Sequence, residues 1–269
     1  MEKQFEKNTF EKRLKSMLKV DFKRIFTMPF LYIMLGISFA IPILILVMTT
    51  MMDGSVSVNP QTGVETVIEG FDNVWQVIGS TSTANSGAGM DMSLTAMCNI
   101  NMLYFLIVVL VCIFVADDFR SGYAKNLFTV RAKKTDYVIS KTVVGFVGAA
   151  AMLVCFFIGA LIGGGVAGLP FEMIGFNAGN LLCCMLSKIF ISLVFVGVCV
   201  LGATIGKQKT WLSILVAFAF SMLFYTMIPM LTPLDCSILN PLLCLVGGVL
   251  FSVGMGAISN QVLQKTALV

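Results

Sequence analysis

The chain has 269 residues, of which 58% are hydrophobic and 12% charged, and its formal net charge is +4. A soluble domain is about 45–50% apolar and about 25% charged, and a solvated surface cannot hide this much apolar side chain. Composition therefore sets aside a soluble enzyme, a nucleic-acid binder and a disordered regulator, and predicts an integral membrane protein. His is absent altogether, which removes the commonest general base and metal ligand.

From the N-terminus, Phe10, Leu14, Met17, Leu18, Phe22, Ile25 and Phe26 recur at helical spacing, while Lys12, Arg13, Lys15, Lys19 and Lys23 take other faces. Residues 1–28 are thus predicted as an amphipathic helix lying in the cytoplasmic membrane interface. The alternative is a solvated, charged lead-in that only sets orientation. A cleaved signal peptide is not expected: the charged region is too long, and no small-residue cleavage site follows the first apolar run.

A spanning helix needs roughly 20 predominantly apolar residues. Six runs qualify, at about 29–52, 99–115, 142–168, 181–205, 211–231 and 241–262. They are continuous rather than alternating, which predicts helices and not a barrel. Residues 29–269 are accordingly expected to form one six-span domain, with an outer loop at 53–98 and an inner link at 117–141. In the outer loop, Val64, Val67, Ile68, Phe71, Trp75 and Ile78 suggest a short amphipathic helix on the outer leaflet. Residues 79–89 have the composition of a flexible loop.

Seventeen of the eighteen Lys and Arg fall before the first run, between runs two and three, between runs four and five, or after the last. The other three connections hold only acidic residues, Asp53 to Asp235. By the positive-inside rule both termini are cytoplasmic. The basic excess is then a topology signal, with attraction to anionic lipid heads, and nucleic acid is not an expected partner.

The apolar runs contain no carboxylate and no His. An ion-coupled transporter usually carries its ion on such groups at midplane, so that class is disfavoured. The nearest approach to a phosphate-binding loop, Gly202-Ala-Thr-Ile-Gly-Lys207, is one residue short and lacks the Ser or Thr. No catalytic residue, cofactor or metal is expected in this chain. Lys188 is the eighteenth basic residue, and a buried Lys costs roughly 2.5–3.5 kcal/mol on insertion scales. It either lines a substrate path or snorkels outward from a shallow helix start. The eight Cys read as small buried hydrophobes. Cys98 and Cys236 lie nearest the outer face, and their pairing is left open. Glycines such as Gly159, Gly163, Gly164 and Gly248 suit close helix packing.

The inner link carries the most information. Its length suits a short helix, a turn and a return into the third span, and an ordinary solvated loop is the alternative. It contains Asp118, Gly122-Tyr123, Lys125-Asn126-Leu127-Phe128, Arg131, Lys134 and Ser140-Lys141. This run, together with the six-span layout of the whole chain, resembles permease subunits of type-2 ATP-binding-cassette exporters. Among these are small permeases of bacteriocin and lantibiotic self-protection transporters in Gram-positive bacteria. The family usually has Glu where Asp118 stands, Thr for Tyr123, Pro or Gly for Arg131, and Arg for Lys134. The resemblance implies a coupling helix that docks on a separate ATPase subunit, a second permease chain, and a bacterial plasma-membrane location. It assigns the coupling role to Asp118, Gly122, Lys125, Asn126, Leu127 and Lys134. The implied cargo is hydrophobic or amphipathic, for example an antimicrobial peptide. Two other readings stay open: a non-transporting anchor that recruits a cytosolic partner, and an ion-coupled secondary transporter.

Overall fold

The computed structural model describes residues 2–58, 65–67, 70–81, 98–130, 133–207, 209–225 and 227–265. Nine helices run α1 (Glu2–Thr27), α2 (Pro29–Met52), α3 (Leu103–Arg120), α4 (Tyr123–Val130), α5 (Lys134–Ala167), α6 (Ala178–Gly206), α7 (Thr210–Tyr225), α8 (Ile228–Leu231) and α9 (Leu239–Lys265) among the described residues. Five of these elements are long and apolar enough to cross a bilayer: α2, α3 with its leading 3-10 turn, α5, α6 and α9. The chain is a multi-pass, all-α membrane protein.

The span expected over 211–231 is not one continuous helix. The helix α7 has 16 residues and ends at Tyr225, and α8 follows as a single turn. Pro229 accounts for the interruption: it has no N–H to donate, and its ring would strike the carbonyl four residues back, which belongs to Tyr225. Two other expected spans are too short. The third helix continues past residue 115 to Arg120, and α5 begins at Lys134 rather than near residue 142. Both extensions carry charged side chains that find partners, as described below.

The helix α6 is the central and most enclosed span, packing on α3, α5, α7 and most extensively on α9. The helix α9 is the most exposed, with Leu242, Leu243, Leu250 and Val253 turned outward. Outward leucines carry no penalty in lipid, where association relies on close packing rather than on burial from water. Such packing is tightest between α2 and α5. A Cβ on Gly163 would stand 2.8 Å from Ile43 Cα, so the two backbones touch there.

The first helix packs on α5. Its buried positions are Met17, Asp21 and Ile25, one turn apart, while Phe26 is exposed. Leu18 and Phe22 pack against the core beside them, so the seated face is largely the one the sequence suggested, with Phe26 left outside it and a carboxylate carried into the protein. Lys12, Lys15, Lys19 and Lys23 line the opposite, exposed side.

At the end of the bundle opposite α1, Val56–Val58 pairs antiparallel with Glu65–Val67, Val56 facing Val67. A 3-10 turn at Val74–Val77 follows. Phe71, Val74, Trp75 and Ile78 are buried within the protein instead of resting on a leaflet as a helix. Trp75 Nε1 donates to the Phe171 carbonyl at 3.1 Å, and Leu234 N–H donates to the Ser80 carbonyl at 2.9 Å. These bonds pin the segment onto the connections after α5 and α8. Val64, Ile68 and most of the expected 79–89 loop lie outside the described residues.

Candidate functional site

The short helix α4 hangs between α3 and α5 at the basic end of the bundle. Gly122 makes the turn into it with φ +75°, a left-handed conformation that other residues rarely adopt. Lys125 and Asn126 are exposed on α4, whereas Ala124 is buried and Leu127 and Phe128 pack against the core. The helix thus presents a polar face outward and is seated on the protein by an apolar one.

Behind α4 lies a buried network of charges. Asp118, near the end of α3, has no solvent exposure. It accepts from Lys141 Nζ at 2.7 Å, from Tyr137 Oη at 3.0 Å, and from Arg24 Nη1. Lys141, equally enclosed, also donates to Asp21 Oδ1 at 2.8 Å, and Ser140 Oγ donates to Asp21 Oδ2 at 2.6 Å. Two carboxylates and two cations from α1, α3 and α5 therefore neutralise one another. Every buried charge here is paired and hydrogen-bonded, which is the condition for tolerating it.

Aromatic faces complete the network. The Arg24 guanidinium lies 4.3 Å from the Tyr123 ring at the start of α4, and Lys141 Nζ lies 4.2 Å from the Phe114 ring. Burial works to lower the pKa of Arg24, but the charge and hydrogen bond of Asp118 outweigh it and leave the group raised. Burial, followed by the charge of Asp21, raises the pKa of the Tyr123 hydroxyl, while Arg24 pulls the other way. Arg24 thus joins the carboxylate of α3 to the first ring of α4. Farther out, Arg13 Nε meets Asp136 Oδ2 at 3.1 Å and clamps α1 to the start of α5.

Of the residues assigned to coupling, Asp118, Gly122, Lys125, Asn126 and Leu127 fall in or beside α4. Lys134 stands at the start of α5, with its Nζ 6.0 Å from the centre of the Phe128 ring of α4. Its Nζ donates to the Leu263 carbonyl at 2.6 Å, holding the end of α9. Asp21, Arg24 and Tyr137 escaped sequence reasoning as site residues. The available signal was Asp21, the one carboxylate between residues 12 and 28, one turn from both Met17 and Ile25.

Lys188 does not snorkel. It is fully buried about 15 Å along α6 from the start at Ala178, at 1.5 Å per residue. Its Nζ donates to Asn101 Oδ1 at 3.0 Å and to Thr232 Oγ1 at 2.9 Å, and Tyr104 Oη donates to its carbonyl at 2.8 Å. All eight Cys are free, so Cys98 and Cys236 are not bridged. Cys236 instead sits against Cys184, and that contact together with burial raises its thiol pKa. The Gly202–Lys207 run is the last turn and cap of α6. Among the described residues no group of three or more His, Cys, Asp or Glu is placed to hold a metal.

No protein-family model matches the chain, and no curated protein or solved structure matches it. The resemblance noted for the inner link rests on the sequence.

Proposed function

We propose that this chain is the membrane-spanning permease subunit of an ATP-driven exporter, with α4 as the helix that docks on a separate ATP-binding-cassette ATPase. One observation carries the reading. The helix α4 exposes Lys125 and Asn126 while its root is tied by Asp118, Lys141, Asp21 and Arg24 to three other helices. A helix anchored in this way passes a push on its outer face to α1, α3 and α5 together. A solvated loop would absorb the same push.

In this reading α7 and α8 together form a sixth, broken span, both termini lie in the cytoplasm, and the membrane is a bacterial plasma membrane. A second permease chain completes the path for a hydrophobic or amphipathic cargo. The ATPase supplies the free energy, and this chain supplies the path and the gate.

The test is co-purification from the native membrane. An ATP-binding-cassette ATPase is expected to accompany the wild-type chain, and Lys125→Glu to reduce its recovery with insertion intact. Lys125 is the position to reverse because it is exposed. Reversal at Lys134 would also release the end of α9. Repeated purification without any ATPase sinks the proposal and favours a membrane anchor.

A further inference from the structure

Lys188 ties together two segments that are distant in sequence. Its Nζ donates to Asn101 Oδ1 at 3.0 Å, in the turn that leads into α3, and to Thr232 Oγ1 at 2.9 Å, directly after α8. The Thr232 hydroxyl spends its own proton on the Ile228 carbonyl at 2.8 Å, which leaves its lone pairs to the ammonium. Tyr104 Oη, in the first turn of α3, donates to the Lys188 carbonyl. The thiols of Cys184, Cys236 and Cys244 lie close enough to interact electrostatically with the ammonium. Cys184 Sγ donates to the Thr232 carbonyl at 3.4 Å and sits against Cys236. Asn101, Thr232, Cys184 and Cys236 are all buried, so the cluster is shut off from water.

The two ends of the bundle are tied differently. At the α1 end, Lys141 lies between the carboxylates of Asp21 and Asp118. Parting such a buried pair strands opposite charges, which is costly. Around Lys188, among the described residues, no carboxylate lies within salt-bridge distance. Parting it from Asn101 and Thr232 strands no second charge, and water entering the gap replaces both bonds. The broken span supplies a part that can move. The helix α8 is a single turn, separated from α7 by the break that Pro229 causes, and it packs on α6. Thr232 and α8 can therefore swing away from α6 without unwinding a long helix.

We propose that Lys188 is a latch: it holds α3, α6 and the segment after α8 together at the end opposite α1, and its release opens that end of the bundle. Lys188 is in this sense a positioning residue and touches no cargo. Latching requires only this chain, whereas the passage of cargo through the opened end rests on the export reading.

Native thiols report on the latch. The full chain in phosphatidylcholine nanodiscs is treated with a water-soluble maleimide, and mass spectrometry follows each cysteine. In wild type, Cys184 and Cys236 should react slowly. Lys188→Met keeps an unbranched side chain and removes its donors. It should speed both reactions roughly tenfold or more, the scale on which loss of a charge-assisted hydrogen bond shifts a local opening. Thr232→Val, which removes one acceptor, should act in the same direction to a smaller extent. Cys112 and Cys199, fully buried where α3 meets α6, should stay protected in both variants. Unchanged labelling of Cys184 and Cys236 in either variant overturns the latch. Joint exposure of Cys112 and Cys199 also overturns it, because Lys188 would then support the fold as a whole. Fast labelling of Cys184 and Cys236 in wild type overturns the closure, whether or not the variants fold. No ATPase enters the assay, so failed co-purification and a failed latch are separate results.

Discussion

Replacing Asp118 with Asn keeps the shape of the side chain and removes its charge from a site with no exposure. Around it, the two negative charges of Asp21 and Asp118 balance the two positive charges of Lys141 and Arg24. The variant removes the buried partner of Arg24, which keeps only the more distant and exposed Asp117, at 3.9 Å. Breaking a buried pair by removing one partner costs about 3–5 kcal/mol. The low end applies here, because Lys141 keeps Asp21 at 2.8 Å and the side chain of Arg24 is 28% exposed, so water relieves it. A loss of about 3 kcal/mol is expected, or a fall in melting temperature of about 6–10 °C for a chain of this size. Lys141→Met should cost a similar amount by leaving two carboxylates against Arg24 alone. The double variant restores neutrality with Asp21 and Arg24, so its cost should fall short of the sum by about 1.5 kcal/mol or more. Unfolding by dodecyl sulfate in mixed micelles, followed by circular dichroism, measures all three. A single variant within about 0.5 kcal/mol of wild type, or strict additivity, would refute the lock.

Three further outcomes are expected. Gly163→Leu should destabilise by about 1–3 kcal/mol, because its Cβ would meet the backbone of Ile43, while Gly165→Leu should be silent, having nothing within 4 Å; thermal unfolding of the two variants decides this. Burial and Asp21 raise the Tyr123 pKa, so the folded state keeps a proton that the unfolded state loses near pH 10. The stability this provides is complete below the ordinary tyrosine range and is lost as pH rises through the raised value. Melting temperatures of wild type should therefore fall faster than those of Tyr123→Phe above about pH 10; parallel curves would refute the raised pKa of that half-buried hydroxyl. In a chain freed of its native cysteines, Lys125→Cys should react with an impermeant maleimide only in inverted vesicles, and Asp72→Cys, exposed at the other end, only in intact cells. The reverse pattern would overturn the proposed orientation.

The sequence by itself determined the membrane class and most of the spans, because a run of apolar residues long enough to cross lipid needs no knowledge of its neighbours. It also made room for α4, since the length of the link between two apolar runs is a local signal that suits a short helix and a turn. The run at 211–231 did not show its break, although Pro229 was in plain view: hydropathy averages over a window, whereas a missing N–H acts at one residue. The apolar face of α1 was largely legible, but the role of its carboxylate was not. Periodicity sorts apolar from charged positions and is silent on Asp21, because an isolated helix has nothing to pair it with. Only the tertiary structure brings Lys141, 120 residues away, to within 2.8 Å of that carboxylate. The same holds for Lys188, whose snorkelling and buried conformations are equally consistent with its sequence neighbours. Asn101 and Thr232 meet its ammonium from distant segments and hold it inside. A buried charge is a property of the whole fold, because the groups that make its burial tolerable come from elsewhere in the chain.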